Sequence, residues 1–108
     1  MNVSEADFQR AVVEAATLYG WRHCHTRRAV VRKGRIATPT SVAGWPDLVL
    51  WRPQKGGLMF VELKKIGGKL SPEQKDVLES LASAGATVDA WFPDQWDRII
   101  ELLQGGAV

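Results

Sequence analysis

The chain is poor in cysteine: Cys24 is the only one among 108 residues. An internal disulfide is therefore excluded, and a lone thiol cannot assemble a structural zinc site. Long apolar runs are also missing. No stretch approaches the ~20 residues that a membrane-spanning helix needs, so no membrane partner is expected. The opening residues, MNVSEADFQR, lack the basic region and apolar stretch of a secretion signal. Internal repeats and low-complexity tracts are absent as well. Together these absences point to a reducing, cytoplasmic setting. What is present excludes a disordered tail: five tryptophans and 45% hydrophobic residues. The length suits one compact domain over residues 1–108, burying somewhat over ~60% of its unfolded surface without covalent staples.

Acids are scarce in one place only. Between Arg22 and Lys69 there are eleven lysines and arginines but just two acids, Asp47 and Glu62, a net charge of +9. The remainder of the chain carries −7, which leaves the overall charge at a bland +2. A segregated positive field of this size suits a polyanion, most simply nucleic acid. The two acids inside it then require an explanation.

Periodicity and punctuation give the element order. Residues 4–19 read as a helix with Ser4 as N-cap, Glu5 and Asp7 at the positive end of the dipole, and Gly20 as the stop. Phe8, Val12, Ala16 and Tyr19 form its apolar stripe. Glu5 falls within that stripe and Glu14 on the opposite face. A short strand at 21–26 leads into a long basic loop, 27–44, closed by Gly44. Two strands, 47–52 and 58–64, flank the turn-rich Pro53-Gln54-Lys55-Gly56-Gly57. A hairpin centred there pairs residues whose numbers sum to about 109, which sets Asp47 opposite Glu62. Lys64, two positions on, points to the same face as Glu62. Ser71-Pro72-Glu73-Gln74 opens a second helix with a capping box and an apolar face of Val77, Leu78 and Leu81. A strand at 86–92 and a last helix from Pro93 to about Leu103 complete the chain. Trp96, Ile99, Ile100 and Leu103 face inward on that helix. The fold class is α/β: an α-β-β-β-α-β-α core, with a small mixed sheet flanked by helices.

The pattern Pro46-Asp47, fourteen intervening residues, then Glu62-Leu63-Lys64 has a chemical rationale. Phosphodiester hydrolysis is served by a hard divalent cation, for which carboxylate oxygens are suitable ligands. Two carboxylates facing each other across a hairpin can share one ion. A lysine on the same face can reach the attacking water or the scissile phosphate. Acids embedded in a basic surface repel DNA without the ion and attract it with the ion bound.

Gly44-Trp45-Pro46-Asp47 with Glu62-Leu63-Lys64 resembles the signature of the PD-(D/E)XK nuclease superfamily. Further features match a narrower branch: the early helix with Glu5, Gly20-Trp21 and His25, and Gly68-Lys69-Leu70-Ser71-Pro72-Glu73-Gln74. With these included, nearly the whole chain is similar to a stand-alone VRR-NUC domain, the virus-type replication-repair nuclease. The resemblance implies a restriction-endonuclease-like fold and an endonuclease dependent on Mg²⁺ or Mn²⁺. It implies metal binding by Asp47 and Glu62, with the Leu63 carbonyl near the ion, and a catalytic lysine at Lys64. Glu5 matches the acid of the first helix, completing the metal shell directly or through water, and Gln74 the polar residue opening the second. Stand-alone members act as homodimers on branched DNA, including Holliday junctions. The implied setting is a bacterial or phage-infected cell.

Individual residues carry competing explanations. Gln74 is fully accounted for by the capping box, yet it shares a face with Val77, Leu78 and Leu81 that can look into the site. His23 and His25 lie on one face of a strand, but zinc needs more ligands than they supply; His25 is expected beside the DNA. Arg27, Arg28, Arg32, Lys33 and Arg35, with Lys65 and Lys69, are expected phosphate contacts, which give affinity without reading sequence. Trp45 and Trp51 are expected to pack rather than to stack on bases. Gly44 permits a turn or the close approach of a phosphate. Two other functions fit part of the pattern: a nucleic-acid-binding module that does not cut, and a restriction-type enzyme with sequence-specific base contacts, for which 108 residues leave little room.

Overall fold

In the computed structural model, the chain is described over residues 3–26, 29–31, 35–37 and 41–105, with 29–31 and 35–37 defined by backbone pairing. Helix α1 (Glu5–Leu18) starts where the Ser4 side chain accepts a hydrogen bond from the Asp7 amide. It ends in a Schellman arrangement: the Gly20 amide donates to Thr17 O and the Trp21 amide to Ala16 O, with Gly20 at φ 90°. Strand β1 (Arg22–His25) follows at once.

The segment expected as one basic loop contains two short strands, β2 (Ala29–Val31) and β3 (Arg35–Ala37). They pair antiparallel, with Val30 opposite Ile36. The β-branched residues there sit among basic ones, so the charge run hides the strand signal.

Strands β4 (Leu48–Trp51) and β5 (Leu58–Leu63) form the anticipated hairpin, with Leu48 opposite Val61 and Trp51 opposite Leu58. Helix α2 (Pro72–Ser83) opens on the full capping box: the Gln74 amide donates to the Ser71 side chain, and the Ser71 amide donates to Gln74 Oε1. Strand β6 (Thr87–Trp91) then joins β5 in parallel. Pro93–Gln95 form a single 3₁₀ turn before α3 (Trp96–Gly105). The last helix is thus split, because Pro93 suits the tight first turn and Phe92 N–H is satisfied by the Gln95 side chain.

The four-stranded sheet has the order β1-β4-β5-β6, antiparallel except for the β5–β6 pair. It is a small mixed open sheet with helices against it, the restriction-endonuclease-like α/β class. Strand alternation sorts its two faces. Leu48, Leu50, Met59, Val61, Leu63 and Trp91 point to one side, where Phe8, Val12 and Ala16 of α1 and Ile99 and Leu103 of α3 close the core. Glu14 is exposed, as its place on the helix requires. Val77 and Leu78 of α2 are buried outside that cluster, and α2 lies against β6. No described helix is long and apolar enough to cross a membrane.

Arg52 departs from the surface field in which its charge places it. It is only 2% exposed. Its Nη1 donates to Tyr19 O at 3.2 Å and Leu103 O at 3.0 Å, carbonyls at the C-terminal ends of α1 and α3, and its guanidinium lies 4.6 Å from the Trp21 ring centroid. A cation at two helix C-termini offsets their negative partial charge. Trp21 Nε1 donates to the same Leu103 carbonyl.

Candidate active site at the open end of the hairpin

Asp47 stands one residue before β4, at the mouth of the hairpin. The β4–β5 register carried one step beyond Leu48–Val61 sets Asp47 opposite Glu62. Its Oδ2 accepts a hydrogen bond from the Leu63 amide at 2.9 Å. That bond aims the carboxylate across the strands and leaves Oδ1 for another partner. The backbone of Asp47 is held as well: its carbonyl accepts from the Thr26 amide at 2.9 Å, just past the end of β1.

Two clefts meet at this residue. The first, about 370 Å³, is lined by Glu5, Ala6, Gln9, His25, Thr26, Asp47 and Leu63. The second, about 280 Å³, is lined by Thr26, Ala43, Gly44, Trp45, Asp47, Ser71, Glu73 and Gln74. Asp47 and Thr26 belong to both. One cleft therefore carries the N-terminal turn of α1 to Asp47, and the other carries the N-terminal turn of α2. Glu5 and Gln74, far apart in sequence, each line a cleft that Asp47 also lines.

Glu62 is fully buried. It alternates to the sheet face opposite the main core, the face on which Phe60 meets Trp45 edge to face at 5.8 Å. Lys64, half-buried, is two positions on; its amide donates to Trp91 O, and its stem runs along Gly68, where an added Cβ would lie 3.4 Å from Lys64 Cβ. Trp45 packs, as expected. Trp51 is half-buried, with the Arg22 guanidinium 5.5 Å from its ring centroid. His25 lines the first cleft and stacks on His23, centroids 6.0 Å apart. Lys65 and Lys69 are exposed. Arg27, Arg28, Arg32 and Lys33 lie outside the described residues; Arg35 belongs to β3.

Gly44 takes the first of its two expected roles, a backbone turn, and it does so against a close neighbour. It has φ 85°, and a Cβ there would lie 2.5 Å from Glu73 C and O and 2.8 Å from the Gln74 amide nitrogen. The backbone of the 41–46 segment thus presses on the first turn of α2, which brings Trp45 and Asp47 beside Gln74.

The donor set consists of hard oxygens. Asp47 and Glu62 supply carboxylates, and Leu63 a carbonyl between Glu62 and Lys64. No three His, Cys, Asp or Glu side chains among the described residues gather into a cluster able to hold an ion. Two carboxylates are enough for Mg²⁺, which commonly keeps several waters and completes its shell with substrate phosphate. The clefts themselves point the same way. Their charged lining is Glu5, Asp47 and Glu73, and no lysine or arginine among the described residues lines either. A phosphodiester entering such a cleft meets repulsion unless a cation offsets it. Of the expected site residues, Glu5, Asp47, Leu63, Gln74 and His25 line the clefts, whereas Glu62 and Lys64 line neither; the donor chemistry, oxygen throughout, suits a hard divalent ion.

Comparison with protein families supplies the decisive observation: the model of the VRR-NUC domain matches residues 9–91. The chain belongs to the VRR-NUC family. Membership marks it as a nuclease, a hydrolase of phosphodiester bonds with DNA as substrate, in a family that typically uses a divalent metal. The matched span of the VRR-NUC domain holds Asp47, Glu62, Leu63, Lys64 and Gln74 and begins four residues after Glu5. No curated protein and no solved structure matches the chain.

Two cleft residues escape a reading of the sequence. Gln9 lies one helical turn after Glu5, a spacing that was available as a signal. Thr26 has no such mark: it ends a strand before a basic run, and only the pairing of β1 with β4 brings it to Asp47.

Proposed function

We propose that residues 1–108 form one divalent-metal-dependent, structure-specific DNA endonuclease domain of the PD-(D/E)XK type. It acts as a homodimer on branched DNA such as Holliday junctions, in the cytoplasm of a bacterial or phage-infected cell. The observation that carries this reading is the position of Asp47: its carboxylate is aimed by the Leu63 amide at the meeting point of two acid-lined clefts, in register with Glu62.

Asp47, Glu62 and the Leu63 carbonyl would hold Mg²⁺ or Mn²⁺, with Glu5 reaching the same cleft from α1. When bound, the ion supplies positive charge against the phosphodiester and its leaving oxygen. Lys64 places its ammonium on the Glu62 face, where it orients the attacking water or steadies charge developing in the transition state. Gln74 keeps its capping bond through Oε1 and lines the second cleft. His25, Arg27, Arg28, Arg32, Lys33, Arg35, Lys65 and Lys69 contact phosphates along the approach and hold DNA without reading its sequence. A symmetric junction needs two cuts and one domain offers one site, so two copies act together.

The test is a substrate panel of four-way junction, flap, single-stranded and linear duplex DNA, with Mg²⁺ or Mn²⁺ and with EDTA. The four-way junction is expected to be cut fastest, only with metal, and not by Glu62→Ala. Binding that is equal in metal and EDTA, with no cutting, identifies a binding module instead; discrete fragments from linear plasmid identify a sequence-specific enzyme.

A further inference from the structure

We infer that Thr26 is the positioning residue of Asp47, an inference that rests on the reading of Asp47 as an acid of the phosphodiester site. Thr26 makes two bonds to consecutive carbonyls. Its amide donates to Asp47 O at 2.9 Å, and its hydroxyl donates to Pro46 O at 3.2 Å. The Pro46 carbonyl belongs to the peptide plane before the Asp47 Cα, and the Asp47 carbonyl to the plane after it. Tethering both planes fixes φ and ψ of Asp47, the two soft torsions of that residue.

The amide bond continues the β1–β4 ladder past His25–Leu48 and is independent of the side chain. The hydroxyl bond is not: it needs Thr or Ser at position 26. Pro46, buried, contributes its ring constraint on the same segment. With the backbone held, the anchor of the Asp47 side chain among the described residues is the Leu63 amide. Thr26 therefore acts through Asp47, and it does so from the wall that both clefts share. Sub-ångström placement of a site carboxylate is what such a tether secures, and loss of it is felt in the chemical step more than in binding.

The experiment compares Thr26→Val, which replaces the hydroxyl with a methyl of similar size, and Thr26→Ser, which keeps the hydroxyl. Two readouts are taken on the full chain. The first is amide hydrogen exchange at Leu63, whose N–H reports the Asp47 carboxylate directly. Thr26→Val is expected to speed that exchange at least tenfold relative to the β4–β5 ladder amides, while Thr26→Ser leaves it within threefold of the parent. The second is junction cleavage with Mn²⁺. Thr26→Val is expected to lower kcat at least tenfold with KM within twofold, and Thr26→Ser to keep kcat within threefold. Thermal midpoints of both variants should move by no more than a few degrees, which separates positioning from folding. Unchanged Leu63 exchange in Thr26→Val overturns the inference, as does unchanged kcat in an active enzyme, or equal losses in the two variants. If the parent chain cuts nothing while Leu63 exchange responds to Thr26→Val, the nuclease reading fails and the tether on Asp47 stands.

Discussion

At the scale of the residue, the two carboxylates of the hairpin differ in surroundings. Asp47 faces the clefts and holds one backbone amide, whereas Glu62 is fully buried. Asp47→Asn keeps the shape and removes the charge. It is expected to lower metal-dependent cleavage by about 10²-fold or more. Removing a negative charge from an acid-lined cleft also favours phosphate, so DNA binding in EDTA should be equal or tighter; a gel-shift titration beside single-turnover cleavage checks both. Weaker binding in EDTA would contradict the electrostatic account. Arg52 makes the opposite point, since a basic residue inside a basic stretch serves the core. Its Nε and Nη2 are buried without a hydrogen-bond partner among the described residues. Arg52→Met forfeits the bonds to Tyr19 O and Leu103 O but relieves those two groups. It should cost about 1–2 kcal/mol in urea unfolding and leave the salt dependence of DNA binding unchanged.

At the scale of the element, the site depends on how tightly the 41–46 segment meets α2. Gly44→Ala puts a methyl into the Glu73 peptide and forces a positive φ on a residue with a side chain. Gly56 also has a positive φ, 75°, but open space where its Cβ would stand. Gly56→Ala therefore measures the torsional cost alone, about 1 kcal/mol. Gly44→Ala is expected to exceed it by 2 kcal/mol or more and to reduce cleavage, because Asp47 moves with the segment. Equal unfolding midpoints for the two variants would show that the contact with α2 does not constrain the site. The α2 cap gives a smaller effect. Ser71→Ala removes the acceptor for the Gln74 amide and should cost about 1 kcal/mol.

At the scale of the whole molecule, charge is divided by function. The stretch from Arg22 to Lys69 carries a net charge of +9, whereas the charged lining of the two clefts is acidic among the described residues. DNA binding carried by those basic side chains is expected to fall steeply with salt, and the acid-lined clefts are expected to need a cation before a phosphate enters. Mg²⁺ or Mn²⁺ at about 100 times its dissociation constant should stabilise the fold by about 2.7 kcal/mol. The stabilisation should disappear in Asp47→Asn, and thermal unfolding with and without metal measures it. A rise of equal size in the variant would place the ion elsewhere.

The sequence by itself determined whatever obeys a local rule. The apolar stripe Phe8, Val12, Ala16 became the buried face of α1, and Ser71 with Gln74 became the cap of α2. The turn-rich 53–57 segment set the hairpin register, because a short connection between two strands leaves little freedom in how they pair. That register, carried one step past Leu48–Val61, leads to Asp47 and Glu62. Three things were decided only by the tertiary structure. Arg52 turned inward because the C-terminal ends of two helices converge there, which no local pattern records. Gly44 lies against the first turn of α2, a contact between segments some thirty residues apart that no local rule sets. Thr26 reached Asp47 because β1 lies beside β4, a pairing between segments some twenty residues apart. Periodicity reports which face of an element is buried; which distant element covers it depends on the packing of all of them at once.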